Sequence, residues 1–463
     1  MVLQKLPTRQ NVQKIIQNFG VSDGLIYLNG QVMQERDNTD VELPFRQESN
    51  FFYVTGVSEP DFHVVIDLAT KRVQLVAPPV NPEDVMWMGM PDSLETLATK
   101  YDVDEVIYLN ELNDALSKAS VVYTLPIVST KKLDLTRVKL ANEVQNKPLY
   151  TAFCDARAIK ADWEIELIRH SNKISSDAHI KLMQAVRAGV NESELHALFL
   201  YESARKGAFF QSYYPIVGVG KNAATLHYNK NNAPIENPTD VVLVDAGAEY
   251  NCYASDITRT FPVGGKFSPE AAVIYSIVLD MQKACFAKCK AGVPYESIHQ
   301  TAIEVACDGL VKAGILVGDK QELLDNDVVA GFFPHGVGHM LGLDVHDVGG
   351  YPEGVERIDR PGYRNLRMRR TLATGNVVTI EPGVYFCDFI IEPLLKSDVT
   401  RKYINQEMLN KYRSVGGVRI EDNIAITDDG YINLTDVPKE IEEIEALMAA
   451  NSENENKKRK LEA

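Results

Sequence analysis

Two aspartates in one short segment of the chain could hold a metal ion. If the chain reverses around Tyr250 and Asn251, Asp245 and Asp256 face each other across a β-hairpin. Facing residues on one side of such a hairpin have Cβ atoms roughly 4.5–5.5 Å apart. Two carboxylates at that distance repel each other unless a cation lies between them, and hard divalent ions favour oxygen ligands. The alternative is a polar hairpin whose aspartates cap turns.

Three histidines lie close together in a glycine-rich segment. Of the 9 histidines in the chain, His335, His339 and His346 fall within twelve residues. Their spacing differs from the HExxH pattern of single-zinc proteases. The glycines between them indicate a backbone that packs closely against other groups. We therefore expect a site here, and we expect ordinary core or surface roles for five of the other histidines: His63, His170, His179, His196 and His299.

Two glutamates each follow an apolar run that is typical of a buried strand. Glu381 follows the run 376–380, and Glu421 follows the run 417–420. Taken singly, each could be a solvated strand end. Together, two Asp, one His and two Glu form an oxygen-rich set that suits two Mn²⁺- or Co²⁺-like ions better than a structural zinc ion, which prefers Cys and His.

The elements that must position these residues divide the chain into two domains and a tail. In the first third, apolar runs at 24–28, 63–68 and 73–77 predict strands, the last two joined as a hairpin, and 112–118 predicts a short helix. The pattern changes between 150 and 160. We predict an α/β domain over 1–155, a second domain over 156–450 that carries the candidate ligands, and a disordered tail over 451–463.

The second domain begins with helices whose ends are marked by capping residues. Asp162 is a candidate N-cap for a long helix that ends at Gly189. Asn191, with Glu194 three residues later, forms a capping box for the next helix. A further helix is predicted over about 269–291, and strands are predicted at 241–244, 376–380 and 417–420.

Charge and composition exclude several classes of function. The 48 basic and 64 acidic residues give a net charge of −16, which offers no field for nucleic acid or anionic lipid. No stretch reaches the roughly 18–20 apolar residues of a membrane span, and the N-terminus lacks a signal-peptide core. The 6 cysteines are predicted to be free thiols. We therefore expect a cytoplasmic protein, with the basic cluster at 457–460 as either a solvated end or a nuclear-import signal.

The order of five candidate ligands resembles that of a known family: Asp245, Asp256, His339, Glu381 and Glu421. The family is the "pita-bread" metallopeptidases, which include methionine aminopeptidase, aminopeptidase P and prolidase. The segments RQESNFFYVTG (46–56) and VMWMG (85–89) resemble the creatinase-type N-terminal domain of the Xaa-Pro branch. The segments YPEGVER (351–357) and GVYFCDFIIEP (383–393) are similar to the eukaryotic prolidase-like group, whose fungal members are often named Xaa-Pro aminopeptidases. The resemblance implies an α/β (α+β) protein with a creatinase-like N-terminal domain followed by a pita-bread catalytic domain.

The resemblance implies a site with two metal ions, expected to be Mn²⁺, which Co²⁺ or Zn²⁺ can replace. Asp245 would bind one ion, Asp256 would bridge both, His339 and Glu381 would complete one ion, and Glu421 would bridge back to the other. A hydroxide that bridges the ions would then attack the peptide bond. Glu381 would also carry a proton to the leaving nitrogen.

The implied reaction is hydrolysis of an N-terminal Xaa-Pro bond, whose nitrogen carries no hydrogen. By resemblance, His227 and His346 would line the substrate site, with His335 close to it. Arg419 would pair with Asp245, and Tyr385 would join the same outer shell. A homodimer is also implied, in which Trp87 reaches the partner's site.

The length of the substrate is left open by the sequence. Arg367 resembles a prolidase arginine that binds the free carboxylate of a dipeptide, which favours Xaa-Pro dipeptides over longer peptides with Pro at the second position. However, Arg367 lies in a run with other arginines, which could be a solvated basic loop: Arg364, Arg369 and Arg370. Two alternatives are a non-catalytic pita-bread binding module, against which the full ligand set argues, and metal-free hydrolysis of the creatinase type.

Overall fold

The computed structural model describes residues 5–450, and these divide into two compact units, one ending at Arg157 and the other beginning at Ala158. The predicted boundary near residue 155 lies two residues before this division. The predicted disordered tail, 451–463, and the basic cluster within it lie outside the described residues. Among residues 5–450, no helix is long and apolar enough to cross a membrane.

The first unit is built on one mixed β-sheet. The strands are β1 (Leu25–Asn29), β2 (His63–Asp67), β3 (Val73–Ala77), β4 (Glu105–Tyr108) and β5 (Val122–Tyr123). They lie in the order β4-β3-β2-β1-β5, with β1, β2 and β3 antiparallel and with β4 and β5 parallel to their neighbours. The helices are α1 (Arg9–Phe19), α2 (Ser49–Thr55), α3 (Pro82–Met88), α4 (Leu94–Lys100), α5 (Leu112–Leu116) and α6 (Glu143–Ala158).

The predicted hairpin in this unit is confirmed, and its turn has a visible cause. β2 pairs with β3 in the register His63↔Val76. The Asp67 carboxylate accepts hydrogen bonds from the backbone amides of Ala69 and Thr70, at 2.9 and 2.8 Å, as an Asx-turn does. The short helix predicted at 112–118 is also present, as α5.

Within residues 158–450, the second unit carries four small sheets and several helices. The helices are α7 (Asp162–Ala185), α8 (Glu192–Ala204), α9 (Pro269–Phe286), α10 (Tyr295–Lys312), α11 (Lys320–Asp325), α12 (Asp388–Lys396) and α13 (Gln406–Tyr412). The strands are β6 (Phe210–Gln211), β7 (Ile216–Val219), β8 (Val241–Asp245), β9 (Ala248–Glu249), β10 (Thr258–Pro262), β11 (Val377–Ile380), β12 (Gly383–Tyr385), β13 (Gly417–Arg419), β14 (Asp422–Ile426) and β15 (Tyr431–Asn433). The strand orders in the four sheets are β10-β8-β7, β11-β14-β15, β12-β13 and β6-β9.

The helix ends in the second unit confirm one prediction and correct three. The Asn191 capping box at the start of α8 is confirmed. The Asn191 side chain accepts a hydrogen bond from the Ser193 amide, and the Asn191 amide donates to the Glu194 carboxylate. Asp162 is not an N-cap, because it is already the first residue of α7. The N-cap is Ala161, whose amide donates a hydrogen bond to Glu164 Oε2 at 2.9 Å. The long helix α7, predicted to end at Gly189, ends at Ala185. The helix predicted to reach Ala291 ends at Phe286, where the chain turns.

Candidate active site

A β-hairpin brings Asp245 and Asp256 to one face of the sheet, in a register that differs from the predicted one. The turn is centred on Asn251 and Cys252, both with positive φ (47° and 61°), one residue later than predicted. As a result Asp245 pairs with Thr258, and Asp256 is its diagonal neighbour. The shift moves the pairing by two residues, so both carboxylates stay on the same face.

One residue that touches both aspartates was not predicted from the sequence. The hydroxyl of Tyr213 lies 2.5 Å from Asp245 Oδ1 and 2.6 Å from Asp256 Oδ1. A phenol has one hydrogen, so it can donate to only one carboxylate at a time. The second contact therefore brings two acceptors together, and a cation between the carboxylates would relieve this.

The glycine-rich segment packs against β11, as the glycines predicted. A Cβ on Gly338 would lie 2.1 Å from the carbonyl oxygen of Thr379 and 2.2 Å from the hydroxyl of Tyr295. The next residue, His339, is hydrogen-bonded to Thr379 in both directions, through its amide (3.1 Å) and its carbonyl (2.9 Å). Only glycine at 338 permits the close approach that places His339 beside the acidic residues.

The protonation of the His339 ring can be assigned from its neighbours. Its Nδ1 lies 2.9 Å from the carbonyl oxygen of Met340, which can only accept, so Nδ1 carries the hydrogen. The Nε2 lone pair then points at Asp256 Oδ2 (3.3 Å) and Glu381 Oε1 (3.4 Å). Three acceptors that face one another suit a bound cation, and a backbone carbonyl on the far nitrogen is the usual support for a metal-binding histidine.

Glu421 completes this cluster with an oxygen that lacks a partner. Its Oε2 accepts from Thr258 Oγ1 at 2.7 Å, whereas Oε1 is buried without a hydrogen bond to any residue that the structure describes. Ligand atoms of Asp256, His339 and Glu421 all lie within 4.8 Å of one another. An orphaned buried acceptor costs roughly 1–3 kcal/mol, more when it is charged, so these residues fit a divalent metal ion.

Simultaneous ionisation of the clustered carboxyl groups is strongly unfavourable without a cation. Burial and the nearby Glu421 carboxylate raise the pKa of Glu381 to about 8. Burial and the Asp245 carboxylate hold the pKa of Asp256 well above its usual range, and burial and Asp256 do the same to the pKa of Glu421. Desolvation and like-charge repulsion of this size are typical of functional sites.

Arg419 is the buried cation that borders the cluster. Its guanidinium donates to Asp245 Oδ2 (2.6 Å), to the hydroxyl of Tyr385 (2.8 Å) and to Thr258 Oγ1 (3.1 Å). The Tyr385 hydroxyl also lies 2.9 Å from Nε2 of His335, whose Nδ1 lies 2.7 Å from the Gly336 carbonyl. Both ring nitrogens of His335 are thus engaged within the protein, and Tyr385 is buried behind the site.

The acidic cluster lines a cavity of about 1000 Å³ within the second unit. Its walls include His227, His335, His346, Arg367 and Arg419. The structure therefore brings all the predicted site residues of this unit together, with Tyr385 one layer out. Trp87 belongs to the first unit and is 77% exposed; its role in a homodimer stays a prediction.

The segment that carries His346 is fixed by a buried ion pair. Lys160 and Asp347 pair at 2.8 Å with side chains only 2% and 1% exposed. The Asp347 amide also donates to the carbonyl of Met340 at 2.9 Å, which closes the loop 340–347. The rings of His346 and His339 meet edge to face at 4.5 Å. Burial, assisted by the positive charge of Arg367, lowers the pKa of His346 to about 3, so this imidazole is neutral at physiological pH.

Comparison with known proteins points to one group of enzymes. Residues 166–428 match the model of metallopeptidase family M24, and residues 8–123 match the aminopeptidase P N-terminal domain. A probable Xaa-Pro aminopeptidase of Phaeosphaeria nodorum is 44% identical over 461 residues, covering 96% of each chain. A probable Xaa-Pro aminopeptidase of Aspergillus fumigatus is 43% identical over 439 residues, covering 92% of this chain and 93% of its own.

Solved structures give the same result. Aminopeptidase PepP of Pseudomonas aeruginosa aligns with a TM-score of 0.82 at 31% identity, covering 97% of this chain and 100% of that one. Aminopeptidase P of Escherichia coli with the inhibitor Pro-Leu aligns with a TM-score of 0.80 at 31% identity, covering 96% and 99%.

Proposed function

Because the chain belongs to metallopeptidase family M24, and is therefore a hydrolase, we propose that it removes the N-terminal residue from peptides whose second residue is proline. The predicted fold, a creatinase-like N-terminal α/β domain followed by a pita-bread catalytic domain, is confirmed by the same matches. The observation that carries the proposal is the convergence of acidic and histidine ligands on the wall of a cavity large enough for a peptide.

Two divalent metal ions, proposed to be Mn²⁺, would be held by the five converging ligands: Asp245, Asp256, His339, Glu381 and Glu421. When bound, such ions activate water near neutral pH and polarise the substrate carbonyl. The orphaned oxygen of Glu421 and the lone pair of His339 aimed at two carboxylates support this assignment.

The other side chains of the cavity would bind the substrate and move protons. Neither His227 nor His346 makes a side-chain hydrogen bond to another described residue, so both can donate an N–H to the substrate carbonyl oxygen. His346 does so as a neutral imidazole because of its low pKa. Glu381 lines the same cavity and would pass a proton to the proline nitrogen as the peptide bond breaks.

Arg367 supports a preference for dipeptides. Its side chain lines the cavity close enough for its charge to lower the pKa of His346, and it has no hydrogen bond or ion pair with any residue in 5–450. The neighbouring Arg364 is instead paired with Asp359 at 2.9 Å. A free guanidinium near the reacting end suits the C-terminal carboxylate of an Xaa-Pro dipeptide.

The test is hydrolysis of defined peptides by the purified chain. Metal-free protein should release no alanine, and protein with added Mn²⁺ should release alanine from Ala-Pro and Ala-Pro-Ala but not from Ala-Ala-Ala. A chelator should abolish the activity, which separates this chemistry from metal-free hydrolysis of the creatinase type. Metal-loaded, folded protein that leaves every Xaa-Pro peptide intact would support a binding module instead.

A further inference from the structure

Glu381 and Glu421 lie directly opposite each other in an interrupted β-ladder. β11 pairs with β14 in the register Ile380↔Asp422, and β12 pairs with β13 in the register Gly383↔Arg419. These two registers are one continuous alignment, which places Glu381 across from Glu421 in the gap between them. Acidic residues directly opposite each other destabilise a ladder, so something else must hold the strands together at this point.

Proline explains why the ladder has a gap there. Ile420 donates its amide to the carbonyl of Pro382 at 3.3 Å, which is one of the two bonds expected of this facing pair. The return bond cannot form, because proline has no N–H. The carbonyl of Ile420, directly before Glu421, is thus left without its ladder donor.

Gln282 on α9 supplies the missing donor. Its side chain is fully buried, and its Nε2 lies 3.3 Å from the carbonyl oxygen of Ile420 and 3.1 Å from that of Ile380. These two carbonyls directly precede the two glutamates. One amide group, with two hydrogens on one nitrogen, therefore joins the backbone behind both acidic residues.

The orientation of this amide is unambiguous. On its other side, Oε1 of Gln282 lies 3.0 Å from Nζ of Lys439, which can only donate. Lys439 is itself held by Asp422 at 2.6 Å. Because carbonyls only accept and ammonium groups only donate, the alternative placement of the amide would lose all three bonds.

We propose that Gln282 is a positioning residue that sets the separation of Glu381 and Glu421, and through it the affinity of the site for its metal ions. Gln282 is not among the residues that line the cavity. It replaces the ladder bond that Pro382 removes and so fixes the two strands at the one place where their side chains repel. This inference rests on the proposed metal site.

The test measures metal binding by calorimetry, without relying on peptidase activity. Gln282→Met keeps the volume of the side chain and removes both of its hydrogen-bond donors. We expect Mn²⁺ to bind the metal-free variant about 10- to 100-fold more weakly than the wild-type protein, which is the usual cost of losing a residue that supports the metal ligands. The control is Tyr275→Phe, which removes one buried side-chain bond from the same helix to the Lys439 carbonyl (2.8 Å) and should leave Mn²⁺ affinity unchanged. A Mn²⁺ titration should restore the turnover of Gln282→Met.

Unchanged Mn²⁺ affinity in folded Gln282→Met, or an equal loss in Tyr275→Phe, would overturn the inference. If Gln282→Met does not fold, Gln282→Glu keeps the shape and the contact with Lys439 while removing the donors. Its added negative charge should attract cations, so weaker binding would point to geometry, and stronger binding would refute the proposal. A wild-type chain that binds no Mn²⁺ would instead refute the metal site itself.

Discussion

Replacing Arg367 with alanine tests the substrate length from a single side chain. If Arg367 binds the carboxylate of a dipeptide, the variant loses hydrogen bonds to a charged group, worth about 1.5–3 kcal/mol. Because the Arg367 side chain is exposed, the lower end of this range applies. We therefore expect kcat/KM for Ala-Pro to fall about 10-fold, since 1.4 kcal/mol corresponds to a factor of ten.

The longer peptide provides the internal comparison. In Ala-Pro-Ala the carboxylate lies one residue farther along, about 3.3–3.6 Å away in an extended chain, so its kcat/KM should change little. The assay is alanine release from each peptide at several concentrations. The matched control is Arg364→Ala, which lines the same cavity but removes a guanidinium already paired with Asp359. An equal fall for both peptides, or an equal effect of Arg364→Ala, would refute the carboxylate contact.

Three further predictions concern the acidic cluster and the backbone around it. Mn²⁺ at 100 times its Kd should raise the free energy of unfolding of metal-free protein by about 2.7 kcal/mol in urea titrations; an unchanged midpoint would argue against a site in the folded chain. Tyr213→Phe should lower the stability of metal-free protein by about 1.5–3 kcal/mol, because the one hydrogen bond that its hydroxyl donates to Asp245 or Asp256 is lost; equal stability in chelator would show that the hydroxyl contributes nothing. Gly338→Ala should cost about 3 kcal/mol or more, because the new Cβ would lie 2.1 Å from the Thr379 carbonyl; near-normal stability would mean that the backbone can move.

The secondary-structure elements that hold the site could be predicted from the sequence more accurately than the geometry of the site. The strands before Asp245, Glu381 and Glu421 were predictable, because buried apolar runs that end in an acid differ from their surroundings. The family resemblance then supplied the ligand set. The pairing of Asp245 was wrong by two residues, since the reversal depends on which two residues adopt positive φ, and Asn251 and Cys252 do so here.

Tertiary contacts explain what the sequence could not provide. Tyr213 sits in an ordinary polar and aromatic stretch with no spacing signal, and only the fold brings its hydroxyl to the aspartates. Gln282 could not be predicted for the same reason, because nothing in the sequence around one glutamine in a helix indicates which distant carbonyls it will contact. Asp162 failed as an N-cap for the opposite reason: a suitable residue was present, but the box formed by Glu164 with Ala161 starts the helix earlier.

The buried pair of Lys160 and Asp347 constrains how this protein can diverge. Removing one partner leaves the other charge buried without its ion pair and lowers the free energy of unfolding by about 3–5 kcal/mol. The total free energy of unfolding of a typical domain is about 5–15 kcal/mol. Exchanging both partners for apolar residues of similar volume can be neutral. Single substitutions at either position should therefore be eliminated by selection, whereas paired ones survive. Positions 160 and 347 are expected to covary among related chains, although they lie 187 positions apart in the sequence.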